Sequence, residues 1–236
     1  MLASAGALAL SIRWFGGQGQ PSGPFDVPLE TFTRALDRLA PDCDRLAMMG
    51  VSFGAEATLL TATREPRLDV VVGLAPSPVV WAGWDTGVDP ARETSHWTLD
   101  GAPVPYASFD PTWQPETDPP AYRGLYARSL RTAAPDAWIP VERVGGEVIL
   151  AGGEDDQVWP GADFARLVAT RRREHGLATT VVTHPRAGHR VVLPGEHPVV
   201  RGRTIARGGS PAADRQLGEA VWTELVTSLR LTPTPA

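Results

Sequence analysis

Short apolar runs alternate with helix-like segments along the chain, and this alternation most limits the folds open to it. Runs of strand length are predicted at residues 6–15, 46–51, 68–75, 147–151 and 179–183. Helices with helical spacing of apolar residues are predicted at 29–39, 53–63, 161–175 and 217–229. Strands that alternate with helices indicate a mostly parallel sheet flanked by helices, hence an α/β fold. With 236 residues, we expect a single domain over 1–236.

Residues 76–140 interrupt this alternation. The stretch is rich in Pro, Gly and Asp, and it holds five of the eight Trp and all three Tyr. Loops of this length are usually functional or disordered, and so high an aromatic content argues against disorder. We therefore predict an aromatic-rich, cap-like insertion over the mouth of the sheet. The alternative is a structural excursion with a small core of its own.

Composition limits the partners and the compartment. The formal net charge of −5 argues against binding to nucleic acid or to an anionic membrane surface. No stretch approaches the roughly 20 apolar residues that span a bilayer. The single cysteine, Cys43, cannot form an internal disulfide, which fits a cytoplasmic protein. The apolar start lacks a basic segment before it, so we do not expect a signal peptide.

A G-x-S-x-G pattern lies where strand 46–51 meets helix 53–63, in the sequence Gly50-Val51-Ser52-Phe53-Gly54. In this context the pattern predicts a nucleophile elbow, with the Ser52 hydroxyl exposed above the sheet. The helix that follows directs its N-terminal dipole and the Phe53 backbone N–H at a developing oxyanion. Because the bare pattern also occurs by chance, the alternative is an ordinary strand-to-helix turn.

A serine nucleophile needs a histidine base and an acid that orients it, and in α/β-hydrolases these follow in the order Ser, acid, His. The acid is expected after strand 147–151, where Asp156 is favoured, Asp155 is next and Glu154 is last. The base is expected after strand 179–183, where His189 lies in a glycine-containing turn.

The other four histidines are assigned to different roles. His184, before a proline, is interpreted as structural, and His175 ends a basic helical turn. His96 and His197 lie in predicted loops, where they are candidates to line the pocket. No His or Cys pair has metal-ligand spacing, so we predict neither a metal nor a cofactor.

Three stretches match one family: 13–21, 50–57 and 153–160, which read RWFGGQGQP, GVSFGAEA and GEDDQVWP. Weaker matches are 97–110 and 208–211. With these stretches the chain resembles the C-terminal catalytic domain of the acyl-CoA thioesterase and bile-acid-CoA:amino-acid N-acyltransferase family, related to dienelactone hydrolases. The resemblance implies an α/β-hydrolase fold with Ser52 as nucleophile, Asp156 as acid and His189 as base. In that family serine at the elbow is typical of thioesterases and cysteine of acyltransferases, so Ser52 implies hydrolysis.

The chain departs from the family pattern at its start. The β-sandwich of the animal members is absent, and the chain begins where the first helix of the family's domain should be ending. The resemblance therefore implies an N-terminally shortened domain without the strand and loop that give the second oxyanion donor. Either the start codon is placed too late, or another segment supplies that donor, or the stabilisation of the oxyanion is weak. Our candidate within the chain is the turn at Gly16 and Gly17.

The expected function is hydrolysis of a small-molecule acyl ester or thioester, with a coenzyme A thioester as the favoured substrate. The insertion is expected to bind an apolar acyl chain through Trp81, Trp84 and Trp113. The coenzyme A phosphates would meet Arg201, Arg203 and Arg207, unless these belong to a solvated loop.

Two other functions remain open. A carboxylesterase or dienelactone-type lactonase would use the same triad, and a binding subunit derived from a hydrolase would use none of it. The sequence indicates no oligomeric state.

Overall fold

The computed structural model describes residues 1–84, 93–197 and 203–232. The helices in these ranges are α1 (Glu30–Leu39), α2 (Phe53–Ala62), α3 (Arg123–Leu130), α4 (Gly161–Glu174) and α5 (Pro211–Ser228). The strands in the same ranges are β1 (Val27–Pro28), β2 (Ala47–Val51), β3 (Val70–Leu74), β4 (Ala82–Trp84), β5 (Glu93–Ser95), β6 (Trp97–Leu99), β7 (Ala102–Pro103), β8 (Glu147–Gly153) and β9 (Thr180–His184). None of these described helices is both long and apolar enough to cross a membrane.

Four strands form a parallel sheet in the order β2-β3-β8-β9. Helix α2 connects β2 to β3, and α4 connects β8 to β9. Every residue of β3 is buried, as expected for a short β-branched strand that is covered on both faces. The predicted α/β class, a mostly parallel sheet flanked by helices, is therefore confirmed.

Successive side chains of β3 enter two different cores, because neighbouring residues of a strand point to opposite faces of the sheet. Val71 packs in one cluster with Leu59 of α2. Val70 and Val72 pack in the other cluster, with Leu217 of α5. Helices thus cover both faces of the sheet and hold the carboxyl ends of its strands in place.

The predicted strands 46–51, 68–75, 147–151 and 179–183 are confirmed as β2, β3, β8 and β9. The predicted helices 29–39, 53–63, 161–175 and 217–229 are confirmed as α1, α2, α4 and α5, within a few residues at their ends.

The predicted strand at 6–15 is wrong. A short 3-10 helix covers Ala3–Ala5, and no regular structure follows it up to residue 14. Leu8 and Leu10 remain 56% and 47% exposed. A groove of about 1000 Å³ has this segment on one side and β2 on the other. A strand needs a hydrogen-bonded neighbour, and within the described residues this apolar segment has none.

Residues 76–140 lie between β3 and β8 and carry their own small elements. Strands β4 and β5 pair antiparallel, while β6 pairs with β1 on one side and with β7 on the other. Trp81 and Tyr126 pack together with Trp159 and Phe164 from the α4 side of the molecule. Aromatic side chains of this stretch therefore form part of a packed core. Its role as a cap over the site stays a prediction.

Candidate active site

Ser52 occupies the sharp turn between β2 and α2. Its backbone has φ 57° and ψ −123°, a combination that residues other than glycine rarely adopt and that stores strain. The turn is held by the Ser52 N–H, which donates to the Leu74 carbonyl oxygen at 2.9 Å. A Cβ at position 50 would lie 2.0 Å from the Gly54 carbonyl oxygen, so glycine there lets strand and helix approach this closely. The strained strand-to-helix turn is the geometry that the G-x-S-x-G pattern predicts.

His189 lies between Ser52 and Asp156. Its Nε2 is 3.0 Å from Ser52 Oγ, and its Nδ1 is 2.8 Å from Asp156 Oδ2. With the ring proton on Nδ1, the imidazole donates to Asp156 and accepts from the Ser52 hydroxyl. Asp156 has no exposed surface, and the His189 side chain is 12% exposed. The three residues follow β2, β8 and β9, whose carboxyl ends meet at one edge of the parallel sheet.

Of the three consecutive acids at the end of β8, Asp156 is the one that contacts His189. Its Oδ1 accepts two backbone N–H groups of the following turn at 2.8 and 3.2 Å, which leaves Oδ2 for the histidine. Asp155 instead accepts a backbone N–H of the loop that precedes α5, at 2.8 Å. Glu154 pairs with Arg166, and the hydrogen bond from that guanidinium lowers the pKa of the Glu154 carboxyl.

The turn that carries Asp156 is also held by α3. The Arg123 guanidinium donates to the carbonyl oxygen of Asp156 at 2.9 Å and to that of Glu154 at 3.3 Å. The backbone N–H groups of Tyr122 and Arg123 donate to the Gln157 carbonyl oxygen at 2.9 and 3.0 Å. A part of the segment 76–140 therefore fixes the backbone on both sides of the acid.

The loop that carries His189 is fixed by two backbone hydrogen bonds. The His189 N–H donates to the Arg207 carbonyl oxygen at 2.9 Å. The neighbouring Gly188 N–H donates to Asp214 Oδ1 at 2.8 Å. Asp214 lies in the first turn of α5, and burial raises the pKa of its carboxyl. The first contact holds the backbone of His189 against the loop before α5, and the second holds its neighbour against α5 itself.

Phe53 begins α2, so its backbone N–H has no partner within the helix. In the part of the chain that the structure describes, this N–H has no hydrogen-bond acceptor and remains available to a ligand. The role of Gly16 and Gly17, the candidates for a second donor, stays a prediction. Their N–H groups already donate within their own turn, to the Pro21 carbonyl oxygen at 2.7 Å and to Gln20 Oε1 at 3.1 Å.

The three tryptophans predicted to bind substrate have different surroundings. Trp81 has no exposed surface, stacks on Phe109 and donates its indole N–H to Ser77 Oγ at 2.7 Å. Trp113 is half-buried, and its ring lies 5.5 Å from that of Tyr122. Trp84 ends β4, and its side chain is outside the described residues. Contact of these residues with a substrate stays a prediction.

The three arginines predicted to meet phosphates follow the His189 loop. Arg201 lies outside the described residues, and Arg203 is exposed. The Arg207 guanidinium donates to the carbonyl oxygens of Ile205 and Arg203 at 3.4 and 2.8 Å, and burial lowers its pKa. The backbone of Arg207 thus adjoins the histidine, while its charged group is bound within the loop.

Sequence reasoning missed a buried carboxyl group directly behind the elbow. Glu56 lies in the first turn of α2 with no exposed surface, and it binds His96, which was assigned to a loop. One signal was present, because Glu56 is the single charged residue of an otherwise apolar or small helix. Within the described residues, no group of three or more His, Cys, Asp or Glu is placed to hold a metal ion.

Comparison with known protein families gives a match over residues 27–231, to the family described as BAAT / Acyl-CoA thioester hydrolase C terminal. The matched range contains Ser52, Asp156 and His189.

A curated relative and a solved structure are also similar to the chain. Acyl-coenzyme A thioesterase 6 of Mus musculus is 23% identical over 248 residues, which cover 96% of this chain and 54% of that protein. The chain therefore spans about half the length of this relative. A crystal structure of a membrane phospholipase A, a bacterial virulence factor, is 17% identical with a TM-score of 0.39, covering 86% of this chain and 64% of that one.

Proposed function

Because this chain belongs to the family of BAAT and acyl-CoA thioester hydrolase C-terminal domains, we propose that it is a serine hydrolase that cleaves an acyl-CoA thioester. Family membership and the parallel sheet together confirm the predicted α/β-hydrolase fold class. The relation to an acyl-coenzyme A thioesterase supports a thioester as the substrate. The observation that carries the proposal is the hydrogen-bonded series Ser52–His189–Asp156.

In the proposed first half-reaction, Ser52 Oγ attacks the acyl carbonyl carbon while its proton passes to His189 Nε2. The Oγ–C bond forms, and one electron pair of the C=O bond moves to the oxygen. The charged imidazole is stabilised by Asp156, which holds its Nδ1–H. The electron pair on the oxyanion then re-forms the C=O bond, the C–S bond breaks, and the leaving sulfur takes the proton from Nε2. An acyl ester of Ser52 remains.

The oxyanion of this step is proposed to accept a hydrogen bond from the Phe53 N–H. This group lies next to the nucleophile at the N-terminus of α2, where the helix dipole favours negative charge. In the second half-reaction a water molecule gives its proton to His189 Nε2 and attacks the acyl carbon. The C–Oγ bond breaks, Ser52 recovers the proton, and the free acid leaves.

The substrate contacts are proposed for side chains on segments that adjoin the loops of the triad. Trp113 has partly exposed aromatic surface, which suits an apolar acyl chain. Arg203 is exposed on the loop that holds His189, where a guanidinium suits the phosphates of coenzyme A. Trp81, Trp84, Arg201 and Arg207 stay weaker candidates for the same contacts.

The test combines activity with covalent labelling. Wild-type protein is incubated with a fluorophosphonate probe and assayed on a panel of acyl-CoAs and p-nitrophenyl esters. We expect labelling and acyl-CoA hydrolysis in the wild type, and the loss of both in Ser52→Ala, because only that hydroxyl can form the acyl ester. The matched control is Ser11→Ala, which changes an exposed serine outside the site.

Two results would contradict this proposal. Hydrolysis by Ser52→Ala at the wild-type rate would exclude Ser52 as the nucleophile. If the protein hydrolyses p-nitrophenyl esters but no acyl-CoA, its function is that of a carboxylesterase and not of a thioesterase.

A further inference from the structure

Glu56 is a buried charged residue that the reaction described above does not use. It lies three residues after Phe53 in α2, in a stretch of the helix that is buried from Ala55 to Ala62. Burial of a carboxyl group costs free energy unless hydrogen bonds compensate for the lost water. Its contacts therefore indicate what the residue does in the structure.

Three donors converge on a single oxygen of Glu56. The Trp97 indole Nε1 donates to Oε1 at 2.6 Å, the Trp81 backbone N–H donates at 3.3 Å, and His96 Nδ1 lies 3.1 Å away. All three partners come from the segment 76–140, and none is more than 1% exposed. The second oxygen, Oε2, is buried without a hydrogen-bond partner. One oxygen thus attaches the start of α2 to a buried part of that segment.

This attachment fixes the rotation of α2 about its own axis. The helix cannot turn without separating a buried carboxyl oxygen from its donors, and unpaired buried polar groups are costly. The Phe53 N–H lies in the same first turn, so its direction changes with any such rotation. The His96 ring also packs on the Phe53 ring, with centroids 4.1 Å apart. Phe53 in turn contacts Trp159, whose ring meets His189 edge-on at 5.4 Å.

We propose that Glu56 is a positioning residue, which holds the first turn of α2 against the segment 76–140 so that the Phe53 N–H faces the oxyanion. The inference rests on the proposed function, since it assigns the oxyanion contact to Phe53. Glu56 touches no reacting atom and acts through α2, the helix that begins at Phe53. The carboxyl oxygen of Glu56 holds the helix by accepting hydrogen bonds, and the negative charge is not needed for this.

The test compares two substitutions of Glu56 with a matched control. Glu56→Gln keeps an acceptor oxygen for Trp97, whereas Glu56→Ala removes it. The control is Glu65→Ala, which removes a nearly buried carboxyl beyond the other end of α2, where it binds Arg67. Steady-state hydrolysis gives kcat and KM for each protein. Hydrogen exchange of the Ala55 amide, which donates to the Ser52 carbonyl oxygen at 2.8 Å, reports on the first turn without any need for activity.

For Glu56→Ala we expect kcat to fall roughly 10- to 100-fold with KM unchanged, because a displaced oxyanion donor acts in the transition state. Exchange at Ala55 should become faster. Glu56→Gln should restore most of kcat and slow exchange again, and Glu65→Ala should change neither quantity. If Glu56→Ala does not fold, Trp97→Phe removes one donor to the same oxygen and should lower kcat in the same direction.

Three outcomes overturn parts of this scheme separately. Wild-type kcat and exchange in Glu56→Ala would exclude positioning by Glu56. If Glu56→Ala and Glu65→Ala lose the same amount of kcat, the loss comes from a less stable fold and not from the position of the first turn of α2. If the wild type hydrolyses nothing, the proposed function fails, while exchange at Ala55 still decides whether Glu56 holds the turn.

Discussion

Replacing Asp156 by Asn tests the proposed site most directly, because the change keeps the shape of the side chain. The amide oxygen can still accept the two backbone N–H groups that Asp156 Oδ1 now binds at 2.8 and 3.2 Å. The NH2 group then occupies the place of Oδ2, which is 2.8 Å from His189 Nδ1. Since NH2 is a donor, His189 must carry its proton on Nε2, facing Ser52. In this tautomer the imidazole cannot take the serine proton.

The expected loss can be worked out from this geometry. The same change of tautomer in a serine protease lowers kcat by about 10⁴, which corresponds to about 5.5 kcal/mol in the activation barrier. We expect a loss of that order here, because Asp156 is fully buried and no water can replace its contact with His189. Binding should be retained, so KM should change little. Folding should also be retained, because the backbone contacts of the side chain remain.

Asp155→Asn is the matched control for this experiment. Asp155 is exposed, and its hydrogen bond with the Gly209 N–H can be kept by an amide oxygen. Hydrolysis by both variants is measured at saturating substrate, with circular dichroism to show that both are folded. A loss of less than about tenfold is expected for the control, as for other surface changes away from the reacting atoms. A larger loss in Asp155→Asn than in Asp156→Asn would refute the assignment of the acid.

Two further predictions concern the loops around the site. Burial raises the pKa of Asp214 above its ordinary value of 3.8, so the free energy of unfolding should fall as pH rises from 3.8 through the folded-state pKa. Asp214→Asn keeps an acceptor for the Gly188 N–H, and its free energy of unfolding should not fall over this pH range. If urea unfolding gives the same pH dependence for the variant and the wild type, the prediction is wrong. Trp113→Ala should raise KM for long-chain acyl substrates more than for acetyl, because it removes apolar contact area. The control is Trp222→Ala, which changes a partly buried residue of α5 that packs against the core behind the sheet. Equal effects of Trp113→Ala on all chain lengths would make Trp113 structural.

Local sequence patterns predicted the elements that carry the site, because each of those elements is determined largely by its own residues. Strand β3 is a short apolar run that begins with three successive valines, and the elbow needs a glycine at position 50. The apolar segment 6–15 shows where local pattern fails. Its composition suits a strand, but strand formation depends on a neighbour that no local pattern reveals. The choice of Asp156 over Asp155 followed from spacing, and the contact with His189 agrees with it.

The contacts of Glu56 were beyond prediction for a related reason. An acid in the first turn of a helix is common at the surface, where the helix dipole stabilises its negative charge, so the sequence around Glu56 does not by itself indicate a buried contact. Its partners lie 25 to 41 residues further along the chain, in a segment without helical or strand periodicity. Burial of a charged residue depends on what packs over it, and that information is spread over distant parts of the sequence.

The segment 76–140 is predicted to be a cap-like insertion over the mouth of the sheet, and its contacts also make it part of the framework of the site. It binds the start of α2 through Glu56 and the turn of Asp156 through Arg123. A segment that only covered a pocket would need hydrogen bonds to neither. One attachment is to the buried carboxyl of Glu56, near the nucleophile, and the other is to the backbone of Asp156. A shift of the segment would therefore move the nucleophile and the acid together. Changes in this segment should therefore alter kcat as well as substrate selection, which a lid that acts on binding alone would not do.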